Sequence, residues 1–227
     1  MRTDKKIFTI VLLVLGLAWA GITSAHQPRI EFNSNPTIDN PVPISNPGVS
    51  QAFYGDLKGS PQYYEIKLDS PLDFYFGVLV PDVPGIGKNV SAGLIIENSP
   101  KSSYAAFLDA SRSDWNIFYE EFAGDNYFFG PDTTINLPAG NYLIKVFNPD
   151  NVGKYVLVVG KEEVFPPSEW LSAAIKLPLL KTQFFEKPIW SLWEGKIGKY
   201  LVIGYLIFII LVIGAIYLIV KKLVARK

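Results

Sequence analysis

The apolar run near the C-terminus constrains the fold most, because it is long enough to cross a lipid bilayer. Residues 200–220 are 21 residues without a charged side chain. At about 1.5 Å of rise per residue, a helix of about 20 residues spans the bilayer core of roughly 30 Å. The basic stretch "KKLVARK", residues 221–227, follows and belongs on the cytoplasmic side by the positive-inside rule. We therefore predict one transmembrane helix with a short basic cytoplasmic tail.

The N-terminus carries a second membrane-related signal. A basic start, an apolar run over residues 7–20 and the small residues of "GITSA" form the pattern of a secretory signal peptide over residues 1–25. An uncleaved anchor is the alternative, since no charged side chain lies between Ile7 and Pro28. Cleavage after Ala25 is favoured, because the apolar run is shorter than the roughly 20 residues of a span. Residues 26 to about 199 are thus predicted to be periplasmic or extracellular, anchored to a plasma or inner membrane.

The composition excludes several classes of function. The 21 basic and 21 acidic residues give a net charge of zero, whereas a nucleic-acid partner would require a basic face. The chain has no cysteine and one histidine, so disulfides, thiolate zinc sites and cysteine nucleophiles are impossible. Little transition-metal or acid–base chemistry remains. We therefore expect no enzymatic activity and no resident cofactor.

The middle of the chain has the period-two pattern of β-strands. Apolar and polar residues alternate in "YYEIKLD", and "LDFYFGVLV", residues 72–80, is the nearly continuous apolar run of a strand buried on both faces. Turn signals such as "DVPGIGKN" and "NPDNVG" separate about eight short strands spaced by about ten residues. We predict an all-β fold, an antiparallel β-sandwich or jelly roll over residues 49–160. Residues 26–48, interrupted by Asn-Pro pairs, are predicted to be extended and to wrap an edge.

The last two predicted strands carry a family resemblance. Gly140 and Tyr142 open one strand, and Gly153 and Tyr155 open the next. This paired Gly-x-Tyr pattern resembles the end of the bacterial pre-peptidase C-terminal domain family, over residues 51–160 or so. The resemblance implies a β-sandwich and a non-catalytic role, because members of that family are modules attached to secreted enzymes.

Residues 161–199 form a connector between the predicted sandwich and the span. Ser168 is a candidate N-cap for a short helix that ends before Pro178. Aromatic residues interleaved with lysines predict short amphipathic segments that lie in the membrane interface. Two alternatives are a docking surface for another membrane protein and a collar packed on the sandwich. The predicted interface residues are Trp170, Phe184, Phe185, Trp190 and Trp193.

His26 is the candidate metal ligand. If the signal peptide is cut after Ala25, the α-amine and the imidazole of His26 can chelate copper together. The chain has no second histidine, so oxygen donors or another subunit would have to complete the site. The alternative is an exposed terminal residue without a role.

The remaining candidates lie in the acidic and aromatic segment of residues 107–132, with Asp150 in addition. A calcium site could use the oxygen donors of Asp125, Asn126, Asp132 and Asp150, although no EF-hand spacing is present. A cluster of rings could form an exposed binding patch for a glycan or a protein, or could fill the core instead. The candidate patch residues are Trp115, Tyr119, Tyr127, Phe128 and Phe129.

These features together predict a non-catalytic accessory or interaction subunit of a membrane or cell-surface assembly. Its partners would be the lipid bilayer and another membrane protein. The alternative is a ligand-binding surface protein, which would take copper through His26 or a glycan through the aromatic segment.

Overall fold

The fold is mostly β, with two mixed sheets followed by helices. The computed structural model describes residues 26–97 and 104–224. The predicted signal peptide, residues 1–25, and the last three residues of the basic tail lie outside the described residues.

The first sheet has six strands, and its spatial order interleaves strands from distant parts of the chain. From one edge to the other it contains β1 (Gln27–Ile30), β3 (Gln51–Lys58), β11 (Val152–Val159), β5 (Leu72–Pro81), β9 (Asp125–Leu137) and β8 (Asn116–Glu120). The second sheet has five strands, in the order β2 (Val42–Pro43), β4 (Gln62–Leu68), β10 (Gly140–Phe147), β6 (Ser91–Ile96) and β7 (Tyr104–Leu108).

The prediction of a purely antiparallel fold is wrong at one edge of each sheet. β1 runs parallel to β3, and β2 runs parallel to β4, while the other pairs are antiparallel. Parallel neighbours need a crossover connection. The N-terminal segment provides it, because the chain passes from β1 in the first sheet to β2 in the second before β3 returns to the first.

The main core lies where the two sheets meet. Tyr64 and Ile66 of β4 and Phe76 of β5 are fully buried, at the alternating positions that the period-two pattern predicts. The hydroxyls of Tyr64 and Tyr155 are 2.7 Å apart across this core, and Tyr155 also donates to Oε1 of Gln62 at 2.5 Å. Each buried hydroxyl therefore has the partner that burial requires.

The second half of β5 is buried on both faces, as predicted, because helices cover the other face of the six-stranded sheet. Helix α1 (Pro167–Leu179) runs directly into a π-helical turn, Leu180–Phe184. A 3-10 helix, Ile189–Glu194, then leads to helix α2 (Lys196–Val224). α1 begins one residue before Ser168 and continues through Pro178, so both predicted boundaries of this helix are wrong. Pro167 fits the first turn, where a missing N–H costs nothing, and the π-helical turn accommodates the backbone after Pro178.

α1 is fastened to β1 by polar contacts. The guanidinium of Arg29 makes a two-point contact with Glu169, with N–O distances of 2.9 and 3.0 Å. Lys176 donates to the carbonyl of Pro28 at 2.9 Å. The N-terminal edge strand and the connector therefore hold one another in place.

Within the described residues, α2 is the one helix that is long and apolar enough to cross a membrane. It has 29 residues, its most apolar stretch has a mean hydropathy of 2.9, and none of that stretch is buried by the rest of the protein.

Candidate functional site

The first turn of α2 is packed into the β domain, and we call this contact the joint. The turn between β8 and β9, residues 121–124, supplies the other half of it. The N–H groups of Lys196 and Ile197 donate to the carbonyls of Glu121 and Phe122, both at 3.0 Å. The side chain of Ile197 is fully buried in a small apolar cluster with Phe122, Ala173 and Leu177. The start of the candidate span is thus held by backbone bonds and by apolar packing.

Two glycines allow the backbones at the joint to touch. Gly124 adopts a left-handed conformation, with φ of +77°, which favours glycine. A Cβ on Gly124 would overlap the backbone of Gly195, and a Cβ on Gly195 would overlap the backbone of Ala123. No other residue type would permit this approach without displacement of one segment.

A buried charge cluster lies beside the joint. Asp125 is 1% exposed, and its Oδ1 is 2.8 Å from Nζ of the fully buried Lys181 and 2.9 Å from Nζ of the partly exposed Lys187. Lys181 also donates to the carbonyl of Gly124 at 3.2 Å. Asp125 Oδ2 has no hydrogen-bond partner among the described residues. The cluster joins the first residue of β9 to the connector.

The two lysines of this cluster respond differently to their surroundings. Burial lowers the pKa of Lys181, and the bond to Asp125 offsets only part of that effect. Burial also acts to lower the pKa of Lys187, but the bond and charge of Asp125, together with Glu194, outweigh it and raise the pKa. Asp125 therefore offsets the effect of burial only in part at Lys181, whereas Asp125 and Glu194 together outweigh it at Lys187.

Glu120, the last residue of β8, closes the same turn. Its carboxylate accepts from the N–H groups of Phe122 and Ala123 at 2.6 and 2.7 Å. Burial raises the pKa of Glu120, and these two hydrogen bonds oppose the shift. The turn that receives α2 is thus shaped by the partly buried carboxylate of Glu120.

The structure does not bring the four predicted calcium ligands together. The carboxylate of Asp125 is already paired with two lysines, Lys181 and Lys187. Asp132 lies seven residues further along the same strand, about 20 Å away. Asp150 is exposed in the turn between β10 and β11. Within the described residues, no three His, Cys, Asp or Glu side chains are grouped as a metal site would require. Asn126 follows Asp125 in β9, and its carbonyl accepts from the N–H of Asp82.

His26 stands immediately before β1, and its Nδ1 is hydrogen-bonded to the hydroxyl of Ser50. His26 is exposed as a residue. Desolvation of its imidazole lowers the pKa of His26, and the charge of Glu163 opposes the shift. A neutral imidazole with one nitrogen already engaged offers only its other nitrogen to a metal.

Most of the predicted aromatic patch belongs to the core. Trp115 and Tyr127 are buried, and the Trp115 indole N–H donates to the carbonyl of Ala110 at 2.9 Å. Phe128 and Phe129 are partly buried, so Tyr119 is the one member of the predicted patch that is exposed.

The exposed apolar residues of this region are Ile117, Phe118 and Tyr119 on β8. Ile117 and Phe118 were not among the predicted patch residues, because the sequence of β8 does not show by itself that this strand lies at the edge of a sheet. The edge position of β8 follows only from the sheet topology, in which β8 is the last strand and pairs with β9.

The predicted membrane-interface residues divide into two groups. Phe184 and Phe185 are buried against Tyr54 and Tyr127 of the six-stranded sheet, with ring centroids 5.1 and 5.3 Å apart. They therefore fasten the connector to the sheet and do not reach a membrane. Trp170, partly buried, packs edge-on against Phe122 at 5.7 Å.

Trp190 and Trp193, the other two, are exposed by 75% and 51%. Sequence reasoning missed three exposed aliphatic residues of α1, namely Leu171, Ile175 and Leu179. Their spacing of four residues is the signal that could have identified them.

Among the described residues, two concave features are considered as ligand sites. A cavity of about 90 Å³ lies between the six-stranded sheet and the connector, and it is lined mainly by apolar residues with Glu120 among them. An open groove of about 870 Å³ lies between β7 and β9, lined by Phe107, Asp109, Arg112 and Asp132 among others. Sites for small molecules usually measure roughly 300–1,000 Å³, so only the groove has that size.

Comparison with known proteins gives distant structural likenesses. No protein-family model and no curated protein matches the sequence. The pre-peptidase C-terminal domain of collagenase from Bacillus anthracis matches over 61% of this chain and 98% of its own, with 16% identity and a TM-score of 0.32. A surface-associated copper-binding protein of Methylomicrobium album BG8, CorA, matches over 62% of this chain and 100% of its own, with 9% identity and a TM-score of 0.27.

The catalytic domain of a GH87 alpha-1,3-glucanase in complex with nigerose matches over 50% of this chain but only 22% of its own, with 19% identity and a TM-score of 0.28. The collagenase domain belongs to the family that the paired Gly-x-Tyr pattern resembles. Likenesses of this size carry no conclusion about activity, ligand or partner.

Proposed function

We propose that the chain is a single-pass membrane protein whose extracytoplasmic β-sandwich acts as a non-catalytic accessory or interaction subunit of a membrane assembly. α2 would cross the bilayer with its basic end in the cytoplasm, following the positive-inside rule. The β domain would then stand on the periplasmic or extracellular side. The pre-peptidase C-terminal resemblance is compatible with a non-catalytic module.

The joint is the observation that supports this proposal. A flexible linker between domain and span would let the domain swing freely over the bilayer. Here Ile197 is buried in the domain, and the N–H groups of the first turn of α2 are bonded to the turn at residues 121–124. A rigid connection sets the height and the orientation of the domain above the membrane, which is what a subunit needs to present one surface to a neighbour in the same membrane.

The edge strand β8 is the surface that we assign to that neighbour. Ile117, Phe118 and Tyr119 are exposed there, and the Tyr119 hydroxyl donates to the carbonyl of Glu194 at 3.4 Å, beside the start of α2. An unpaired strand edge offers backbone donors and acceptors to an added strand. Since this edge is continuous with the start of the span, we infer an extended segment of another membrane protein as its partner.

The test uses the full chain in its own membrane, with a photo-crosslinking side chain in place of Tyr119. Extraction in mild detergent followed by native mass measurement should give a complex of fixed stoichiometry, crosslinked through position 119. Ser70, exposed in the turn before β5 at the opposite end of the sheet, supplies the matched control and should give no crosslink. A monomer that crosslinks at neither position would overturn the proposal.

The second candidate function is glycan binding in the groove between β7 and β9, and the size and lining of that groove favour it. Phe107 is 47% exposed and can stack on a sugar ring, while Asp109 and Asp132 can accept from its hydroxyls. Saturation-transfer NMR with neutral oligosaccharides tests it. Binding that Phe107→Ala abolishes would favour this function, and no transfer at all would reject it.

A further inference from the structure

We propose that the outer face of α1 and the neighbouring 3-10 helix lie in the headgroup region of the bilayer. The inference rests on the proposed membrane anchoring and goes beyond it, because it fixes which side of the domain faces the lipid. The face consists of a helix stripe, Leu171, Ile175 and Leu179, and a tryptophan pair, Trp190 and Trp193.

The helix stripe is an exposed apolar face on a helix whose other face is already buried. Leu171 and Ile175 are 66% and 65% exposed, and Leu179, one turn further, is 40% exposed. Residues four apart lie above one another on the same side of a helix. Ala173 and Leu177, on the opposite side, are buried against the joint. A surface helix of a water-soluble domain normally turns polar residues outward, so this stripe is typical of a helix with a second apolar neighbour.

The position of the tryptophan pair points to the bilayer as that neighbour. The 3-10 helix ends at Glu194, and Trp193 precedes Lys196, the first residue of α2, by three residues. Three residues reach at most about 11 Å, so Trp193 lies near the level at which the span enters the membrane. Tryptophan prefers this level because its ring is amphipathic.

α1 is close to the same level. Leu177 contacts the cluster that buries Ile197, and Ile175 and Leu179 flank Leu177 within one turn of α1. The stripe and the tryptophan pair therefore both adjoin the first turn of the span.

Three lysines on and beside α1 support lipid over a polar partner. Amphipathic helices that lie on membranes usually turn their lysines toward water. Here Lys176 donates to a carbonyl of β1, Lys181 is buried beside Asp125, and Lys187 is paired with Asp125. In this protein the lysines face the β domain, where in a free membrane-bound helix they would face water. The helix stripe on the opposite side then faces the lipid.

The absence of cysteine from the chain makes a direct test simple, because a single introduced cysteine gives a single label. The full chain is reconstituted in phosphatidylcholine vesicles with a spin label at Leu171→Cys, Ile175→Cys or Leu179→Cys. The accessibility of each label to oxygen, relative to a water-soluble nickel chelate, reports lipid or water. Ile210→Cys within α2 and Ser70→Cys in the distant turn calibrate the two limits.

We expect the accessibility ratio at the three stripe positions to approach that of Ile210→Cys and to exceed that of Ser70→Cys clearly. A ratio equal to that of Ser70→Cys overturns the inference, since a purified chain in vesicles contains no protein partner to cover the stripe. Dipolar broadening between labels of two copies also overturns it, because self-association would then cover the face. Either result leaves the complex formed through β8 to be judged by its own crosslinking test.

A second measurement needs no substitution in the stripe. In vesicles of brominated phosphatidylcholine, the emission of Trp190 and Trp193 should be quenched, while buried Trp115 should keep its emission. Trp190→Phe combined with Trp193→Phe should remove most of the quenching. Quenching that persists unchanged in this double variant contradicts the assignment.

Discussion

Replacing Asp125 with asparagine should destabilise the protein more than replacing its buried partner, Lys181, with methionine. In the Asp125→Asn variant, the fully buried Lys181 ammonium loses its anionic partner and keeps only neutral acceptors, namely the carbonyl of Gly124 and the new side-chain amide oxygen. Loss of one partner from a buried ion pair costs about 3–5 kcal/mol. If Lys181 releases its proton in this variant, the loss of stability cannot exceed the cost of deprotonating an ordinary lysine at pH 7. That cost is about 4–5 kcal/mol.

The Lys181→Met variant leaves Asp125 with a cation, because Lys187 remains 2.9 Å from the same oxygen. The loss is then that of one hydrogen bond to a charged group, about 1.5–3 kcal/mol. The variant that combines Asp125→Asn with Lys181→Met removes the unpaired buried charge and should be more stable than Asp125→Asn alone.

Denaturant unfolding of the full chain in detergent micelles, followed through the emission of Trp115 and Trp170, gives these free energies of unfolding. The reasoning is refuted if Asp125→Asn stays within about 1 kcal/mol of the wild type, which is the range of an exposed ion pair. It is also refuted if the combined variant is less stable than Asp125→Asn, because the buried lysine would then not be the source of the loss.

Other features of the joint and of the N-terminus lead to further predictions. Because burial raises the pKa of Glu120, the native state binds that proton more tightly than the unfolded chain, so wild-type stability should fall as pH rises from about 4.3 through the native pKa. Thermal unfolding of Glu120→Gln across this range should lack that fall, and parallel curves for the two proteins contradict the assignment. Gly195→Ala should lower the free energy of unfolding by about 1–3 kcal/mol and expose the connector to protease. Gly204→Ala, which has open space around its Cβ, should behave as wild type. Equal digestion of both variants counts against a tight joint. If His26 is the mature N-terminus and binds copper, N-terminal sequencing should begin at His26, and a copper titration should lose its binding step in His26→Ala. Binding that survives the substitution excludes the His26 site.

Local sequence patterns predicted the elements of this protein better than their contacts. Alternation in "YYEIKLD" and the uncharged run at residues 200–220 are local properties, and the strand β4 and the helix α2 follow from them directly. The parallel pairing of β1 with β3 and of β2 with β4 could not be predicted, because it depends on the route of the chain between the two sheets.

The charge cluster and the connector show the same limit. Asp125 stands among other acidic residues, as in a solvated loop, while Lys187 lies 62 residues further along the chain. Aromatic residues interleaved with lysines are equally typical of a segment on a membrane and of a segment on a sheet. The connector contains both kinds, since Phe184 is buried and Trp190 is exposed. Only the three-dimensional packing separates the two.

The contact between Arg29 and Glu169 joins residues 140 positions apart, and this distance has a consequence for biosynthesis. In the proposed topology β1 would emerge early during export, but the helix that fastens it would emerge only after all the strands. Until then the outer side of the six-stranded sheet, including Tyr54 and Val158, lacks its cover of Leu180 and Phe184. The nascent domain would therefore expose this apolar face in the interval between the synthesis of β11 and that of the connector. If α2 crosses the membrane as proposed, its insertion would directly follow the arrival of that cover, so anchoring in the membrane and completion of the fold would occur almost together.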